Sequence, residues 1–233
     1  MILAILNNKG GVGKTTSAVH IAYELAQQGK KVLCVDVDAQ ANLLIHIFPR
    51  HEVYELETRQ NGKVLPVVAH PSGVDVLALS YYEGTAKQYA DAIKSHAKNY
   101  DITIIDCPPS LEIRTTAALD AATSVLIPTQ PENLSYNGLV KLLTLCEARS
   151  LPVMGIFVTF FDKKKTAHNI YLQQIASSLS KYFLDAIVPN SAVFSSASGM
   201  NKFGQEWSKN NTALKSYTAI ATHILSVMEK ERV

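Results

Sequence analysis

The sequence predicts an α/β fold: a mostly parallel, twisted sheet flanked by helices on both faces. Short apolar, β-branched runs alternate with longer segments of helical period, as strands joined by crossover helices do. The first apolar run also leads directly into a glycine-rich turn that opens an amphipathic segment, giving a strand, loop, helix, strand unit at the start of the chain. With 233 residues and no repeat, low-complexity tract or linker, one domain spanning 1–233 is expected.

The elements follow in order. Ile2 to Leu6 is the first strand, and Thr15 to Gln28 the first helix, with Ala18, Ile21, Ala22, Leu25 and Ala26 at helical spacing and Gly29 ending it. Further strands are expected at Val32 to Val35, Ile102 to Ile105, Val125 to Ile127 and Val153 to Val158. Helices are expected at Leu134 to Ala148 and Ala213 to Met228, the latter carrying Leu214, Tyr217, Ile220, Ala221, Ile224, Leu225 and Met228 as one stripe for the sheet. Residues 49–80, broken by Pro49, Pro66, Pro71 and Gly73, have room for one or two strands within "VLPVV" and "VDVLAL". Ser191 to Gly199, "SAVFSSASG", is expected to be a functional loop.

Composition narrows the class. No apolar run approaches the ~18 residues of a membrane span, and no basic n-region precedes the opening strand, so a cytoplasmic protein is expected. Cys34, Cys107 and Cys146 lie far apart without C-x-x-C spacing, which argues against a disulfide framework, a zinc site or an iron–sulfur cluster. Net charge is only +2, but residues 151–233 carry 9 basic and 5 acidic side chains, a bias compatible with a polyanion-binding face.

Residues 7–18 read "NNKGGVGKTTSA". Gly10, Gly11 and Gly13 let backbone N–H groups turn inward around phosphate oxygens, and the helix beginning near Lys14 directs its positive end at them. Lys14 is placed to reach the β and γ phosphates and the Thr15 hydroxyl to ligate Mg²⁺; Val12 and Thr16 complete the loop. Carboxylates for such a site stand at strand ends: Asp36 and Asp38 in "DVDAQAN", and Asp106 in "DITIIDCPPS". An Asn replaces the first glycine of the usual phosphate-loop pattern and a second lysine, Lys9, follows it, which a single triphosphate does not require.

Together "KGGVGKTT", "DVDAQAN" and "DCPPS" resemble the ParA/MinD family of deviant Walker ATPases, above all the small partition proteins without an N-terminal DNA-binding domain. The resemblance covers nearly the whole chain. It implies an Mg²⁺-dependent ATP hydrolase in which Lys9 enters the partner's site across an ATP sandwich dimer. It gives Asp38 the attacking water and Asp106 support of Mg²⁺, with Thr15, Asp38 and Asp106 surrounding the metal and Asp36 structural. A homodimer with ATP, nonspecific DNA and a ParB-like adaptor are the implied partners; no membrane partner and a nucleoid-associated cytoplasmic location are expected.

The chain departs from the family pattern in two places. Ala39 and Ala41 replace a Pro and a Gly after the second strand, and "VPNSAVFSSASGMNKFG" replaces the usual segment near the adenine, which maps here onto Pro189 and Asn190. Lys202, Lys209 and Lys215 are the candidate DNA contacts, with Lys163 to Lys165 a second cluster; Trp207 lies among the first set. The alternative reading is an ATP-dependent membrane-surface switch like MinD, for which the tail "SVMEKERV" lacks a basic, aromatic amphipathic face.

Overall fold

The computed structural model describes residues 1–60, 67–133, 135–208 and 211–230. In chain order the elements are β1 (Ile2–Ile5), α1 (Lys14–Gln27), β2 (Val32–Asp36), α2 (Asn42–Ile47), α3 (Arg50–Gln60) and β3 (Val74–Ala78). There follow α4 (Ala86–Ala97), β4 (Ile102–Asp106), α5 (Ile113–Ala121), β5 (Ser124–Thr129), α6 (Ser135–Ala148) and β6 (Val153–Phe161). The chain continues through α7 (Thr166–Ser178), β7 (Phe183–Pro189), α8 (Ala192–Gly199), α9 (Gly204–Trp207) and α10 (Thr212–Lys230).

Among the described residues, seven strands form one sheet in the order β3-β2-β4-β1-β5-β6-β7, and every pairing is parallel. A parallel sheet needs both faces covered, and two apolar layers do so. One, around Leu3, Ile5, Ile21 and Leu25, is closed by α1, α2, α8 and α10; the other, around Leu6, Val35, Ile105 and Ile127, by α4, α5 and α6. From the central β1 the chain first builds β2 and β3 on one side, then returns through β4 and crosses to β5. The loops after β1, β2 and β4 consequently open together at one carboxyl edge, where such sheets bind ligands.

The expected strands are all present: β1 ends one residue early, at Ile5, and the other four are extended by one to three residues, β2 and β4 each running on to include their terminal aspartates. The stripe of α10 packs on β7 and α1, with Leu225 only partly buried. Among the described residues between 49 and 80 only β3 forms a strand, and "VLPVV" falls mostly outside them; Val68 makes an isolated antiparallel bridge to Val76.

The loop expected at Ser191 to Gly199 is a helix. The Ser191 hydroxyl caps the Val193 N–H, and Val193, Phe194 and Ala197 bury one face of α8 against the α1 layer. Small residues give the segment the composition of a turn, while the i, i+1, i+4 spacing of those three residues is the helical signal. All three cysteines are free and buried, as expected of small apolar side chains. Among the described residues no helix is long and apolar enough to cross a membrane.

Two histidines tie α1 and α2 to the later part of the chain. His20 is fully buried, bonded through Nδ1 to the Thr16 carbonyl (2.7 Å), and its Nε2 accepts the Gly204 N–H (3.2 Å). His46 packs edge-on against it, and Asn201 donates to the carbonyls of Ile45 and Phe48 at 2.8 Å each, holding the end of α2. Burial lowers the His46 pKa to about 4, countered only in part by a hydrogen bond to the Lys202 backbone. The folded value lies below the ordinary ~6.5, so the stabilising contribution is complete above that pH and is lost as pH falls towards 4. We expect His46→Leu to remove this sensitivity. Thermal or urea unfolding should show wild type losing about 2 kcal/mol relative to the variant between pH 7.5 and pH 5.

Candidate functional site

The carboxyl edge of the sheet holds a cavity of about 1190 Å³. Gly10, Gly11, Gly13, Lys14, Thr15 and Thr16 form its floor, Asp38 to Gln40 with Asn42 one wall, and Pro108 to Ser110 with Glu112 to Arg114 another. Val12 turns its side chain into the core and leaves only its backbone for the loop; its carbonyl accepts from Thr159 Oγ1 at 2.9 Å.

Gly13 ends the turn at φ 84°, a left-handed conformation that a side chain resists, and a Cβ there would lie 3.1 Å from the Phe160 ring. Phe160 itself has φ 51° and lines the cavity, so the β6 end shapes the phosphate loop from outside. Among the described residues nothing lies within 4 Å of a Cβ built on Gly10 or Gly11, so the space before those two residues is open.

Lys14 opens α1 and is only 7% exposed. Its Nζ donates to the Lys9 carbonyl at 3.1 Å. Burial lowers its pKa, opposed first by the Asp106 carboxylate and then by Cys107 and Asp38. Beside it, the Thr15 hydroxyl donates to Asp106 Oδ2 at 2.6 Å, while Asp106 Oδ1 is buried without a hydrogen-bond partner among the described residues. A hydroxyl and a carboxylate with an unpaired buried oxygen, beside the buried Lys14, suit Mg²⁺ arriving with a nucleotide.

The two carboxylates of "DVD" have separate jobs. Asp36, fully buried, stands beside Asp106 in the β2/β4 register. Burial first, and then the nearby carboxylates, raise the pKa of both. Asp36 Oδ1 accepts from the Asp38 N–H, and Oδ2 from the N–H groups of Leu43 and Leu44, each at 3.1 Å. It thereby clamps both ends of the loop that directs Asp38 to the cavity. Ala41 sits in that loop at φ 52°, so the residue that replaces a glycine of the family pattern occupies a conformation in which glycine is relaxed.

Arg114 braces the same region from α5. It donates to the carbonyls of Val37 (3.1 Å) and Ser80 (2.7 Å), and its guanidinium lies over the Tyr89 ring. No local motif selects Arg114, Phe160 or the clamp made by Asp36, because Arg114 and Phe160 act on groups far away in the chain and the clamp on backbone N–H groups that carry no side-chain signature.

Lys9 does not point into the cradle. Its Nζ forms an ion pair with Glu132 and donates to Gln130 Oε1 at 3.4 Å. Pro189 ends β7 and Asn190 follows it, its N–H donating to the Phe161 carbonyl; neither lines the cavity. Lys202 and Lys215 are exposed, as are Lys163 to Lys165 in the turn before α7. Lys209 and the side chain of Trp207 lie outside the described residues.

A parallel α/β sheet with a phosphate loop after its central strand and two carboxylate-bearing strand ends beside it defines a P-loop nucleotide-binding protein. The profile of the CobQ/CobB/MinD/ParA nucleotide binding domain matches residues 3–203. The chain belongs to this ParA/Soj/MinD family of ATPases. It is 33% identical to the sporulation initiation inhibitor protein Soj of Bacillus subtilis, covering 80% of this chain and 81% of that one. It is 30% identical to the chromosome-partitioning ATPase Soj of Thermus thermophilus, over 98% of this chain and 96% of the other. The fold matches the cell division ATPase MinD of Pyrococcus furiosus at a TM-score of 0.79 and 21% identity, covering 97% and 98% of the two chains. Cobyrinic acid a,c-diamide synthase of Mycobacterium smegmatis, solved with an ATP analogue and magnesium, matches at 0.76 and 25% identity, covering 96% and 93%.

Proposed function

We propose that this protein is a partition-type ATPase: ATP joins two copies into a sandwich dimer that binds DNA without sequence preference, and hydrolysis releases it. The observation that carries this reading is the division of labour between two lysines. Lys14 lines the cavity from within, whereas Lys9 is turned outward at its rim to Glu132 and Gln130, which supports a role for it in a second subunit rather than at its own phosphates. The names of the Soj relatives, one a chromosome-partitioning ATPase, support partition as the process.

In this reading Gly10 to Thr16 bind the triphosphate through backbone N–H groups and Lys14, and the partner's Lys9 offsets charge on it. Thr15 and Asp106, with Asp38 nearby, would hold Mg²⁺, which when bound would supply Lewis-acid polarisation of the phosphate oxygens. Asp38 orients the attacking water and takes its proton as ADP and phosphate form. The exposed lysines Lys202 and Lys215, with Lys163 to Lys165 and Lys209, supply phosphate contacts for DNA. Pro189 and Asn190 are assigned to the adenine base by the family resemblance alone, as neither lines the cavity. A ParB-like adaptor would accelerate the slow intrinsic step, because a release switch must persist until its partner acts.

The test is DNA binding with ATP, ADP and no nucleotide, beside Lys9→Ala, with mass measured on the same samples. Binding only with ATP, as a dimer, and lost in Lys9→Ala is the expected result. Binding should weaken steeply with salt, as phosphate contacts release counterions. Equal binding in ATP and ADP refutes the switch. An ATP dimer that ignores DNA and sediments with anionic vesicles moves the function to the membrane.

A further inference from the structure

Glu132 and Gln130 stand on the turn that follows β5, more than 120 positions from Lys9. The parallel sheet sets this turn beside the loop leaving β1. Asn7 Nδ2 donates to the Pro128 carbonyl at 2.8 Å, and Asn7 Oδ1 accepts the Lys9 N–H at 2.9 Å. Gln130 Nε2 donates to the Gly11 carbonyl at 3.1 Å while its Oε1 receives Lys9 Nζ. The outer half of the phosphate loop is thus pinned to the β5 turn through its backbone, and the lysine is held there by a carboxylate.

We propose that Glu132 is a positioning residue for Lys9: it stores the lysine in the free subunit and sets how much nucleotide is needed before two subunits join. The proposal rests on the reading of Lys9 as a group given to the partner's site, and it adds the residue that regulates that exchange. Lysine suits the exchange because a compact charge on a flexible stem can trade one anion for another. On dimerisation Lys9 leaves one carboxylate and meets triphosphate oxygens.

The store is a weak one. The side chains of Lys9 and Glu132 are 42% and 49% exposed, so the pair competes with water and salt and is worth at most about fivefold in an equilibrium constant. That weakness fits a catch which must open at each cycle. A two-fold dimer opens it once in each subunit, so the factor enters squared. Without Glu132 the loop still has its backbone anchors at Asn7 and Gln130, and Lys9 leaves without giving up a partner.

The experiment compares wild type with Glu132→Gln, Glu132→Asp and Lys9→Ala in the intact chain. Dimerisation is titrated with a non-hydrolysable ATP analogue, ADP affinity is measured on the monomer, and both are repeated at low and high salt. For Glu132→Gln the expected result is a dimerisation constant raised about 4- to 25-fold with ADP affinity within about twofold. The gap should narrow at high salt, and Glu132→Asp should restore most of the wild-type threshold. An equal shift in ADP binding and dimerisation overturns the proposal, because a carboxylate that merely repels phosphate acts on both. Unchanged or weaker dimerisation also overturns it. If Glu132→Gln melts well below wild type, the same comparison is read from Glu132→Ala, where a dimerisation constant that stays at the wild-type value overturns the proposal. A Lys9→Ala protein that dimerises like wild type refutes the donated lysine itself, a failure distinct from that of Glu132.

Discussion

Lys14→Met is expected to abolish triphosphate binding while leaving the nucleotide-free protein as stable as wild type, or slightly more so. The side chain is 7% exposed and its ammonium donates to the Lys9 carbonyl. Burial lowers its pKa despite the carboxylates of Asp106 and Asp38, so without nucleotide the charge is held at a cost. Methionine keeps the length and removes the charge that must be desolvated, a change that is often neutral or stabilising. Bound nucleotide is another matter. Charge-assisted bonds to phosphate are each worth about 1.5–3 kcal/mol, so losing two weakens ATP by roughly 10²- to 10⁴-fold. Titration with a fluorescent nucleotide and a melt without nucleotide check both halves. A melt that drops with the affinity would mean that Lys14 is mainly structural, holding the loop through Lys9.

The second large effect is on turnover. Asp38→Asn is expected to lower hydrolysis by roughly 10²- to 10³-fold with ATP binding retained, as loss of a general base does. Asparagine is the informative replacement. The Asp38 N–H is held by Asp36, and Asp38 Oδ1 accepts the Gln40 N–H at 3.0 Å, a bond that an amide oxygen also makes. The loop keeps its shape and only the basicity goes. Phosphate release over a fixed time, measured with the ATP-bound mass of the same sample, should show a persistent dimer. A fall of only a few-fold would leave Asp38 a role in orienting water without taking its proton.

Much of this site is legible in the linear order of residues. The phosphate loop, Lys14, Thr15 and Asp106 belong to runs whose spacing and strand context carry the chemistry, and the fold brings them to one edge. The residues alone make Asp36 and Asp38 a pair, and the family resemblance gives Asp38 the water and Asp36 a structural place, but neither says what Asp36 holds. Which of them turns inward depends on the N–H groups of Leu43 and Leu44, seven and eight residues on from Asp36. β7 escapes a linear reading because Asp185 interrupts a short apolar edge strand, and α8 because small residues imitate a turn.

The α/β class, the nucleotide site and the presence of a lysine that one triphosphate does not need are all written in the order of the amino acids. Periodicity and loop chemistry act over a few residues, so they survive in a linear reading. Where that lysine goes is set by long-range packing alone. Lys9 meets Glu132 across 123 positions, as Thr15 meets Asp106 across 91, because parallel strands deliver the ends of β1, β4 and β5 to one edge. A charge chooses its partner among groups gathered in space, and no local rule of sequence counts that distance.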